Sequence, residues 1–555
     1  MNQANSILAR AGIEPAFRPQ FIFDHPQCRF PDKLNITEEV LDRRIHEGHG
    51  DKVAVLYEDR KITYRELYES VNRLGNGLRS LGVQRGDRVV LRIPNRPEFI
   101  VSALAIHKIG AVPVPTMMLL RETTLTRIAN KSRARLMIVD AELMEEVERG
   151  RANHETLENV IVIGKGQYHS YAELLEKSSP KLDPVAMDRD ELGAIFFTGG
   201  TTGAPKGCMH HVTAPMAVIH VSECMYPGGI RGNDVFGGTP PLPFVYGYFH
   251  AMLIPFRFGA TVSLIAGRAT PEKALEAVER HGVTLFHSVP SMYRMILNIP
   301  EAEKKYRCHT LRACLTGSAP IPPTTIGEWK ERFGLEIINL IGSHELLGSF
   351  IGNWRPPYKP GSLGYVYPGY ECAILDDHGN ERPQGEAGKL ALRGPTGVMY
   401  LDQPEEQSKA VLNGWSLTGD AAYKDPDGCI WHVSRTDDII KSRGYRISPE
   451  EVENSLNEHP AVLECGVIGV PDEIQGERVK AFVVLRPGYQ ASDRLAEELK
   501  QFSRARIAPY AAPSTIAIIE ALPRTDLLKL SRVALRQMSS KAMIRIDEGL
   551  GGNPS

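Results

Sequence analysis

Apolar residues recur at two characteristic spacings in the first part of the chain. Leu67, Val71, Leu74 and Leu78 lie three or four positions apart, which predicts an amphipathic helix over residues 64–81. Similar patterns predict a second helix over residues 97–109 and buried strands over residues 89–91, 111–114 and 136–139. Helices that alternate with fully apolar strands indicate an α/β fold built on largely parallel sheets.

The alternation continues toward the centre of the chain and then changes character. Strands are predicted at 260–265, 284–286 and 335–339, and a helix at 271–281. Between about 361 and 397, glycines, prolines and short alternating runs such as 389–393 predict a β-rich subdomain. Beyond the charged cluster at 435–438, a helix is predicted at 449–459 and strands at 461–470 and 480–485.

These patterns predict a two-domain α/β protein. The large N-terminal domain spans residues 1–434 and contains the α/β sheets and the β-rich subdomain. The charged cluster at 435–438 is the predicted linker to a small C-terminal α+β domain over 439–546. The Gly-rich tail at 547–555 is expected to be disordered.

Composition narrows the class of partner. Of 555 residues, 42% are hydrophobic and 24% charged, and the formal net charge of −2 argues against nucleic acid as the main partner. No signal peptide or apolar run of membrane-spanning length is visible, so a cytoplasmic protein is expected. The eight cysteines form no Cys-x-x-Cys pair, which favours reduced thiols in the core over a zinc site.

The segment 196–207 has the composition of a phosphate-binding loop. It combines four glycines, three threonines and Lys206 immediately after an apolar run. Glycines allow backbone N–H groups to approach anionic oxygens, hydroxyls donate or reach a metal, and the lysine adds positive charge. It is not a Walker A sequence, because Ala204 and Pro205 separate Gly203 from Lys206. A flexible surface connection is the alternative.

Two carboxylates are further candidates. Glu345 comes just beyond a strand-like run and a glycine turn, where a carboxylate can hold Mg²⁺ on nucleotide phosphates. A helix-capping glutamate is the alternative. Asp420 follows Thr418-Gly419, a position from which a carboxylate can accept both ribose hydroxyls, although an aspartate there is also ordinary turn chemistry.

Taken in order, these segments resemble the ANL adenylate-forming enzymes over nearly the whole chain. This family includes acyl- and aryl-CoA ligases, luciferases and peptide-synthetase adenylation domains. Residues 198–207 resemble its phosphate loop, residues 316–320 its adenine-side turn, and residues 341–345 its Gly-x-Thr-Glu element. The motifs at 418–420, 435–438 and 523–529 follow in the family's order.

The resemblance implies that a carboxylic acid attacks the α-phosphorus of ATP, releasing pyrophosphate, and that a thiol then displaces AMP. Lys529 would bridge the carboxylate and the α-phosphate, with Glu345 and His344 as the other catalytic residues. Glu345 and Thr202 would hold Mg²⁺. Residues 435–438 would be a hinge, with Asp437 as the hinge residue, and the small C-terminal domain would be mobile. The implied ATP-binding residues are Thr198, Gly199, Gly200, Thr201, Thr202, Gly203, Lys206, Gly317, Ser318, Ala319, Asn339, Ile341, Gly342, Ser343, Asp420 and Arg435.

The chain departs from the family pattern at three places. His344 stands where the family commonly has threonine, and histidine is a bulkier donor that can titrate. Leu527-Leu528 precede Lys529 where a glycine is usual, and leucine excludes backbone angles that glycine allows. Gly199 replaces a serine and removes one phosphate donor. A nucleotide-binding homologue with impaired catalysis is therefore the non-enzyme alternative.

The acid and the acceptor are predicted from two short segments. Phe244, Tyr246, Gly247 and Tyr248 resemble the acid pocket of benzoate-type CoA ligases, and aromatic walls suit a small aromatic acid such as benzoate or 2-aminobenzoate. A core role is the alternative for these aromatics, and a medium-chain or alicyclic acid is the second choice of substrate. The segment implied to bind coenzyme A is Lys441, Ser442, Arg443, Gly444, Tyr445 and Arg446.

A carrier protein is the alternative acceptor, since adenylation enzymes of this family also load carriers. We find no carrier domain in the chain, which favours coenzyme A. The expected partners are therefore small molecules: a carboxylic acid, ATP and coenzyme A. Whether the protein forms a homodimer is left open.

Overall fold

The structure is a computed structural model that describes residues 12–198, 205–319, 321–435, 438–442, 445–472, 475–525 and 530–547. For Arg446 and residues 540–547 only the backbone is described. The predicted residues Gly199, Gly200, Thr201, Thr202, Gly203, Asp437, Arg443, Gly444 and Lys529, like the tail beyond 547, therefore lie outside the described residues.

Four of the helices lie on the stretches predicted at 64–81, 97–109, 271–281 and 449–459. The helices are α1 (Arg43–His46), α2 (Tyr64–Ser80), α3 (Pro97–Lys108), α4 (Glu122–Ser132), α5 (Met144–Arg149), α6 (Tyr171–Lys177), α7 (Thr213–Ser222), α8 (Val245–Tyr248), α9 (Ile254–Arg257), α10 (Pro271–His281), α11 (Pro290–Leu297), α12 (Ala302–Lys305), α13 (Pro323–Phe333), α14 (Pro404–Ala410), α15 (Pro449–Asn457), α16 (Asp493–Arg504) and α17 (Arg532–Asp547). Short 3₁₀ turns lie at Pro15–Phe17, Pro26–Cys28, Ala141–Leu143, Arg151–Asn153 and Glu223–Met225, and π-helical turns at Glu38–Asp42 and Phe249–Leu253.

The strands are β1 (Lys33–Leu34), β2 (Val53–Tyr57), β3 (Arg60–Thr63), β4 (Arg88–Arg92), β5 (Val112–Pro115), β6 (Ala134–Asp140), β7 (Asn159–Ile163), β8 (His169–Ser170), β9 (Met187–Asp188), β10 (Leu192–Thr198), β11 (Lys206–His211), β12 (Val235–Gly238), β13 (Thr261–Leu264) and β14 (Leu285–Ser288). The chain continues with β15 (Ala313–Thr316), β16 (Ile337–Ser343), β17 (Gly348–Gly352), β18 (Tyr365–Val366), β19 (Glu371–Leu375), β20 (Gly388–Arg393), β21 (Val411–Leu412), β22 (Trp415–Lys424), β23 (Ile430–Arg435), β24 (Ile440–Ser442), β25 (Tyr445–Ile447), β26 (Val462–Asp472), β27 (Gly476–Leu485) and β28 (Thr515–Ile518).

Local chemistry explains where the best-formed helices begin and end. Helix α2 starts at a capping box, in which the Thr63 hydroxyl accepts from the backbone N–H of Glu66 and the Glu66 carboxylate accepts from that of Thr63. Helix α10 carries a proline at its first turn. It is terminated directly after His281 by the C-cap residue Gly282, whose φ of +64° suits glycine. These signals are local, which is why the sequence predicts these helices closely.

A nine-stranded sheet organises the larger part of the chain. Its strand order is β18-β17-β16-β15-β14-β12-β13-β2-β3, and the strands from β16 to β2 run parallel. A second sheet, β5-β4-β6-β7-β8, is also parallel. Strands β10 and β11 form an antiparallel hairpin. The strands that run parallel are almost entirely buried, as the continuous apolar runs predict.

Strands β19 and β20 lie in the predicted β-rich region and belong to a sheet with the order β19-β20-β22-β21, to which β23 is added beside β22. Strands β21, β22 and β23 lie beyond that region in the chain. The C-terminal sheet has the order β25-β24-β27-β26, with β28 beside β27, and helices α15 and α16 pack on it. The mixed α/β class predicted from the sequence is confirmed.

The chain forms two compact units. The first comprises residues Met1–Ile321, Thr325–Ala373 and Ala391–Thr418, and the second Pro322–Thr324, Ile374–Leu390 and Gly419–Ser555. All eight cysteines lie among the described residues and none is paired in a disulfide. Over the described part of the chain, we find no helix with the length and apolar character needed to traverse a bilayer.

Candidate active site

Three segments that the sequence predicts to be functional leave the nine-stranded sheet at the same edge. The parallel strands β12, β15 and β16 are followed by the segments that contain Phe244, Gly317 and Glu345, respectively. Because the carboxyl ends of parallel strands share one edge of a sheet, the topology gathers these segments there. The edge of this sheet is therefore the candidate site in the first unit.

The turn after β15, residues 317–319, combines a left-handed backbone conformation at Ser318 with close packing of Gly317 against Leu340. Ser318 has a φ of +76°, in the left-handed region that costs free energy for a residue other than glycine. A Cβ on Gly317 would lie 2.6 Å from Cδ1 of Leu340 on the neighbouring strand, so packing requires glycine there. Ala319 completes the described part of the turn. Its strained conformation is typical of a segment that binds a ligand.

Strand β16 extends further than the sequence predicts. Gly342 does not form the expected turn, because Ile341, Gly342 and Ser343 all pair with β17. A Cβ on Gly342 would collide with the carbonyl of Gly348, so the glycine serves close strand approach. Asn339 is buried, and its amide donates to the carbonyl of Ser362 at 3.0 Å.

Glu345 lies in a tight turn between β16 and β17. The chain reverses at Leu347, whose φ is +59°, and β17 begins at the next residue. No helix follows, so the helix-capping alternative for Glu345 is wrong. The turn places the carboxylate at the carboxyl edge of the sheet, as the sequence predicts.

Lys206, Tyr400 and Glu345 form one continuous group of polar contacts. The Tyr400 hydroxyl donates to Oε1 of Glu345 at 3.3 Å. The Lys206 ammonium lies 5.5 Å from the centroid of the Tyr400 ring and forms an ion pair with Glu406 on α14. Burial, followed by the Glu345 charge, raises the pKa of Tyr400, so its hydroxyl stays protonated and remains a donor.

The Glu345 carboxylate suits a magnesium ion bound to phosphates. No lysine, arginine or histidine nitrogen of the described residues forms an ion pair with it, and Tyr400 is its one hydrogen-bond donor there. Mg²⁺ commonly takes one or two carboxylates and completes its shell with water and substrate phosphates. Accordingly, no cluster of three or more His, Cys, Asp or Glu side chains suited to a metal is found among the described residues.

The predicted phosphate loop is held at both ends by a β-hairpin. Thr198 ends β10 and pairs directly with Lys206, the first residue of β11. The two ends of the loop are therefore fixed next to each other, and Lys206 projects from this base to Glu406. The glycines and threonines from Gly199 to Gly203 lie outside the described residues.

The segment predicted to line the acid pocket is aromatic and mostly buried. The Phe244 ring lies 4.5 Å from the His344 ring, at an interplanar angle of 88°. Tyr246 is buried, and its hydroxyl donates to the carbonyl of Leu315 at 3.3 Å. A Cβ on Gly247 would collide with the carbonyl of Pro241. Phe244 and His344 thus meet edge to face, and His344 directly precedes Glu345 in the chain.

Tyr248 is a core residue. Its hydroxyl is 2.7 Å from Nε2 of the buried His107, and its ring packs against Phe196 at 5.2 Å and Phe99 at 6.2 Å. These contacts agree with the core alternative that the sequence leaves open for this tyrosine.

A buried polar cluster lies behind Tyr246. The Tyr226 hydroxyl is 2.7 Å from Nδ1 of His250 and 3.1 Å from Nε2 of His287. The Tyr246 ring stands 4.7 Å from that of His250, nearly at right angles. Burial lowers the pKa of His250 well below its usual value and that of His287 to about 3, so both rings are neutral near pH 7. No pattern in the sequence predicts that Tyr226, His250 and His287 lie together.

The second unit contains the predicted ribose-binding residues. Asp420 lies within β22, directly opposite Arg435 on β23, and the Arg435 guanidinium donates to Oδ1 of Asp420 at 3.1 Å. The turn alternative for Asp420 is therefore wrong. Gly419 has a φ of +78°, and a Cβ there would lie 2.7 Å from Nη2 of Arg435. The glycine thus makes room for the guanidinium.

His432 also reaches Asp420, which the sequence does not predict. Its Nε2 lies 3.4 Å from Oδ1 of Asp420, and its Nδ1 lies 2.6 Å from Oε2 of Glu450 on α15. His432 and Arg435 are three residues apart and would face opposite sides of a regular strand. A β-bulge, in which Ala421 pairs with Ser434 and Ala422 with His432, turns both toward the carboxylate.

The described part of the segment predicted to bind coenzyme A lies on β24 and β25. Lys441 is exposed and its backbone N–H donates to Glu477 at 2.7 Å, whereas Ser442 is buried. Tyr445 is 49% exposed, and its ring stacks on that of Tyr510 at 4.0 Å. Only the backbone of Arg446, opposite Lys441, is described. Asp438, beside the predicted hinge residue, pairs with Arg536 at 2.9 Å.

Comparison with known proteins adds two matches to domain families. Residues 41–400 match the family described as AMP-binding enzyme, and residues 451–529 match the AMP-binding enzyme C-terminal domain. The chain is 34% identical to the acetyl-coenzyme A synthetase of Bacillus subtilis (strain 168), over 91% of this chain and 90% of that protein. It is also 34% identical to the benzoate–CoA ligase of Thauera aromatica, over 92% of this chain and 97% of that protein.

A solved structure is similar over most of the chain. The anthranilate CoA ligase AuaEII in complex with anthranoyl-AMP superposes with a TM-score of 0.88 at 31% sequence identity, covering 93% of this chain and 99% of that one.

Proposed function

The chain belongs to the AMP-binding enzyme family, the ANL adenylate-forming superfamily, and is an AMP-forming acid–CoA ligase; within this class, we propose that it activates a small aromatic carboxylic acid. Benzoate and 2-aminobenzoate are the acids we favour. The choice of acid goes beyond the family assignment. Two relatives with the same sequence identity to this chain are named for different acids, acetate and benzoate.

One observation carries the proposal: the edge-to-face pair of Phe244 and His344 adjoins the Glu345 turn. A flat ring gains most from aromatic walls, because offset and edge contacts add to the burial of apolar area. The buried Tyr246 continues the aromatic surface from the same segment. A carboxylate held by this wall would sit beside the group formed by Lys206, Tyr400 and Glu345.

In the first step, a carboxylate oxygen attacks the α-phosphorus of ATP and the bond to pyrophosphate breaks, which gives an acyl-adenylate. Both reactants are anions, so catalysis depends on charge neutralisation and alignment. Lys206 supplies positive charge at the base of the loop 198–207, and Asp420 with Arg435 orients the ribose. Glu345 would hold Mg²⁺, which neutralises phosphate charge when bound. We assign Lys529 to bridging the carboxylate and the α-phosphate.

In the second step, the thiol of coenzyme A attacks the acyl carbonyl and AMP leaves. We propose that residues 1–434 and 439–546 are the two domains and that rotation about Asp437 exchanges Lys529 for the coenzyme A face. Lys441 and Tyr445 are exposed on that face, which supports their assignment to the phosphates and adenine of coenzyme A.

A panel of acids tests the substrate. Benzoate, 2-aminobenzoate, cyclohexanecarboxylate, hexanoate and acetate are offered in ATP–pyrophosphate exchange, and then in AMP release with coenzyme A. We expect the aryl acids to give the highest kcat/KM. A preference for acetate or hexanoate would refute the aromatic assignment, and no exchange with any acid despite ATP binding would favour the impaired homologue.

A short aliphatic acid is the second candidate, since identity to the acetyl-coenzyme A synthetase is equal. Phe244→Leu separates the two. It should lower kcat/KM for benzoate about tenfold, on the scale of one lost aromatic contact with its buried area, and leave acetate nearly unchanged. Phe249→Leu is the matched control, because Phe249 is buried one residue beyond α8. Exchange without coenzyme A-dependent AMP release would instead indicate a carrier protein as acceptor.

A further inference from the structure

His432 is held between two carboxylates in the second unit. Its Nδ1 lies 2.6 Å from Oε2 of Glu450 and its Nε2 lies 3.4 Å from Oδ1 of Asp420. The His432 side chain is only 8% exposed and that of Asp420 9%. Arg435, which also contacts Asp420, is 48% exposed, so His432 is the more deeply buried of these two described neighbours.

The three residues lie on both sides of the proposed hinge. Asp420 on β22 and His432 on β23 precede Asp437 in the chain, whereas Glu450 on the first turn of α15 follows it. A second contact joins the same elements, because the hydroxyl of Ser448, the N-cap of α15, donates to the carbonyl of Val433. Two hydrogen bonds, His432 to Glu450 and Ser448 to Val433, thus join the start of α15 to β23.

His432 bonds to both partners as an imidazolium. Burial lowers its pKa, but the hydrogen bonds and charges of Asp420 and Glu450 outweigh burial and raise the pKa of His432 to about 10. The charged groups that face it are Glu450 from α15 and Asp420 from β22, with Arg435 on its own strand sharing Asp420. With both nitrogens protonated, one ring donates to both carboxylates.

We propose that His432 is a positioning residue that orients Asp420 toward the ribose hydroxyls of ATP and ties this orientation to the placement of α15 through Glu450. Asp420, His432 and Glu450 are called the histidine bridge below. This inference rests on the proposed role of Asp420 in binding ribose. The proposed rotation about Asp437 would move Glu450 relative to His432, and the hold on Asp420 would then depend on the rotational state of the small domain.

The experiment compares ATP with 2′,3′-dideoxy-ATP in pyrophosphate exchange. In the wild type, ATP should be preferred because Asp420 binds the hydroxyls that the analogue lacks. His432→Gln should lower kcat/KM for ATP about tenfold, as expected for a lost hydrogen bond to a charged group, and that for the analogue less than about twofold. Glu450→Gln, which touches neither Asp420 nor nucleotide, should lower the ATP preference about threefold.

The preference for ATP over the analogue is a ratio within one preparation, so a partly misfolded variant does not distort it. Glu498→Gln is the matched control, because Glu498 makes a similar contact with His459 at 3.3 Å, entirely beyond the hinge. It should leave the ratio unchanged.

Equal losses on both nucleotides in His432→Gln would show a merely structural role and overturn the proposal. An unchanged ratio in Glu450→Gln would overturn the link to α15. If the wild type itself does not prefer ATP, the assignment of Asp420 to ribose fails, which is distinguishable from failure of the bridge.

Discussion

Gly419→Ala tests the proposed ribose-binding pair of Asp420 and Arg435 through a single methyl group. Gly419 has a φ of +78°, and alanine in the left-handed region costs about 1–2 kcal/mol. The added Cβ would lie 2.7 Å from Nη2 of Arg435, so the guanidinium must move away from Asp420. Since Arg435 is 48% exposed, losing that pair costs up to about 1 kcal/mol.

Gly428→Ala is the matched control. Gly428 lies in the turn that joins β22 to β23, its φ is +80°, and a Cβ there would meet nothing within 4 Å. It should lose about 1–2 kcal/mol of stability from the backbone alone, against about 2–3 kcal/mol for Gly419→Ala. Urea unfolding at pH 7 measures both values.

A functional difference of similar size should accompany the difference in stability. A loss of about 1 kcal/mol in ribose binding raises the KM for ATP about fivefold in Gly419→Ala, while Gly428→Ala should keep the wild-type value. Arg435→Gln should reproduce the higher KM without the backbone penalty. An equal KM in the two glycine variants would refute the placement of Arg435 and Asp420 at the ribose.

Three further predictions concern charge. Lys529→Ala should abolish pyrophosphate exchange but leave thioester formation from a supplied acyl-adenylate largely intact; equal loss of both would contradict its role. Glu406→Gln should lower the KM for ATP about threefold, because Lys206 is released from its ion pair, and a higher KM would mean that Glu406 positions the lysine instead. The raised pKa of His432 stabilises the fold fully below its unfolded value near 6.5, and this contribution is lost as pH rises through about 10. Unfolding free energy should therefore fall by up to about 1.4 kcal/mol per pH unit in that window, and urea titrations of His432→Gln should show a flatter profile.

The fold was predictable wherever one local rule decided the element. The apolar run at 136–139 falls within β6, and the amphipathic pattern at 271–281 coincides with α10, whose N-cap, proline and terminal glycine are all visible in the sequence. Glu345 was also placed correctly at the edge of the sheet, since it follows a predicted strand and the carboxyl ends of parallel strands share one edge. Its turn was not predicted, because Leu347 adopts a left-handed φ that leucine rarely takes.

The candidate site was predictable only in part, because several of its contacts join segments far apart in sequence. Tyr400 and Glu406 lie about two hundred residues beyond Lys206, and no spacing rule connects them. His432 was missed for a different reason: strand alternation assigns it to the face opposite Arg435, and only the irregular register of β22 and β23 reverses that assignment.

The β-bulge between β22 and β23 makes the presence of a residue at position 433 important for the orientation of His432 and Arg435. Val433 contributes its backbone, as the extra residue between the paired Ser434 and His432, and its carbonyl accepts from Ser448. Replacing the valine with another β-branched residue alters little, whereas deleting it would restore regular alternation and send either His432 or Arg435 to the other face. The number of residues in this part of β23 therefore matters more than the identity of residue 433. A mutational survey limited to substitutions would not detect this requirement.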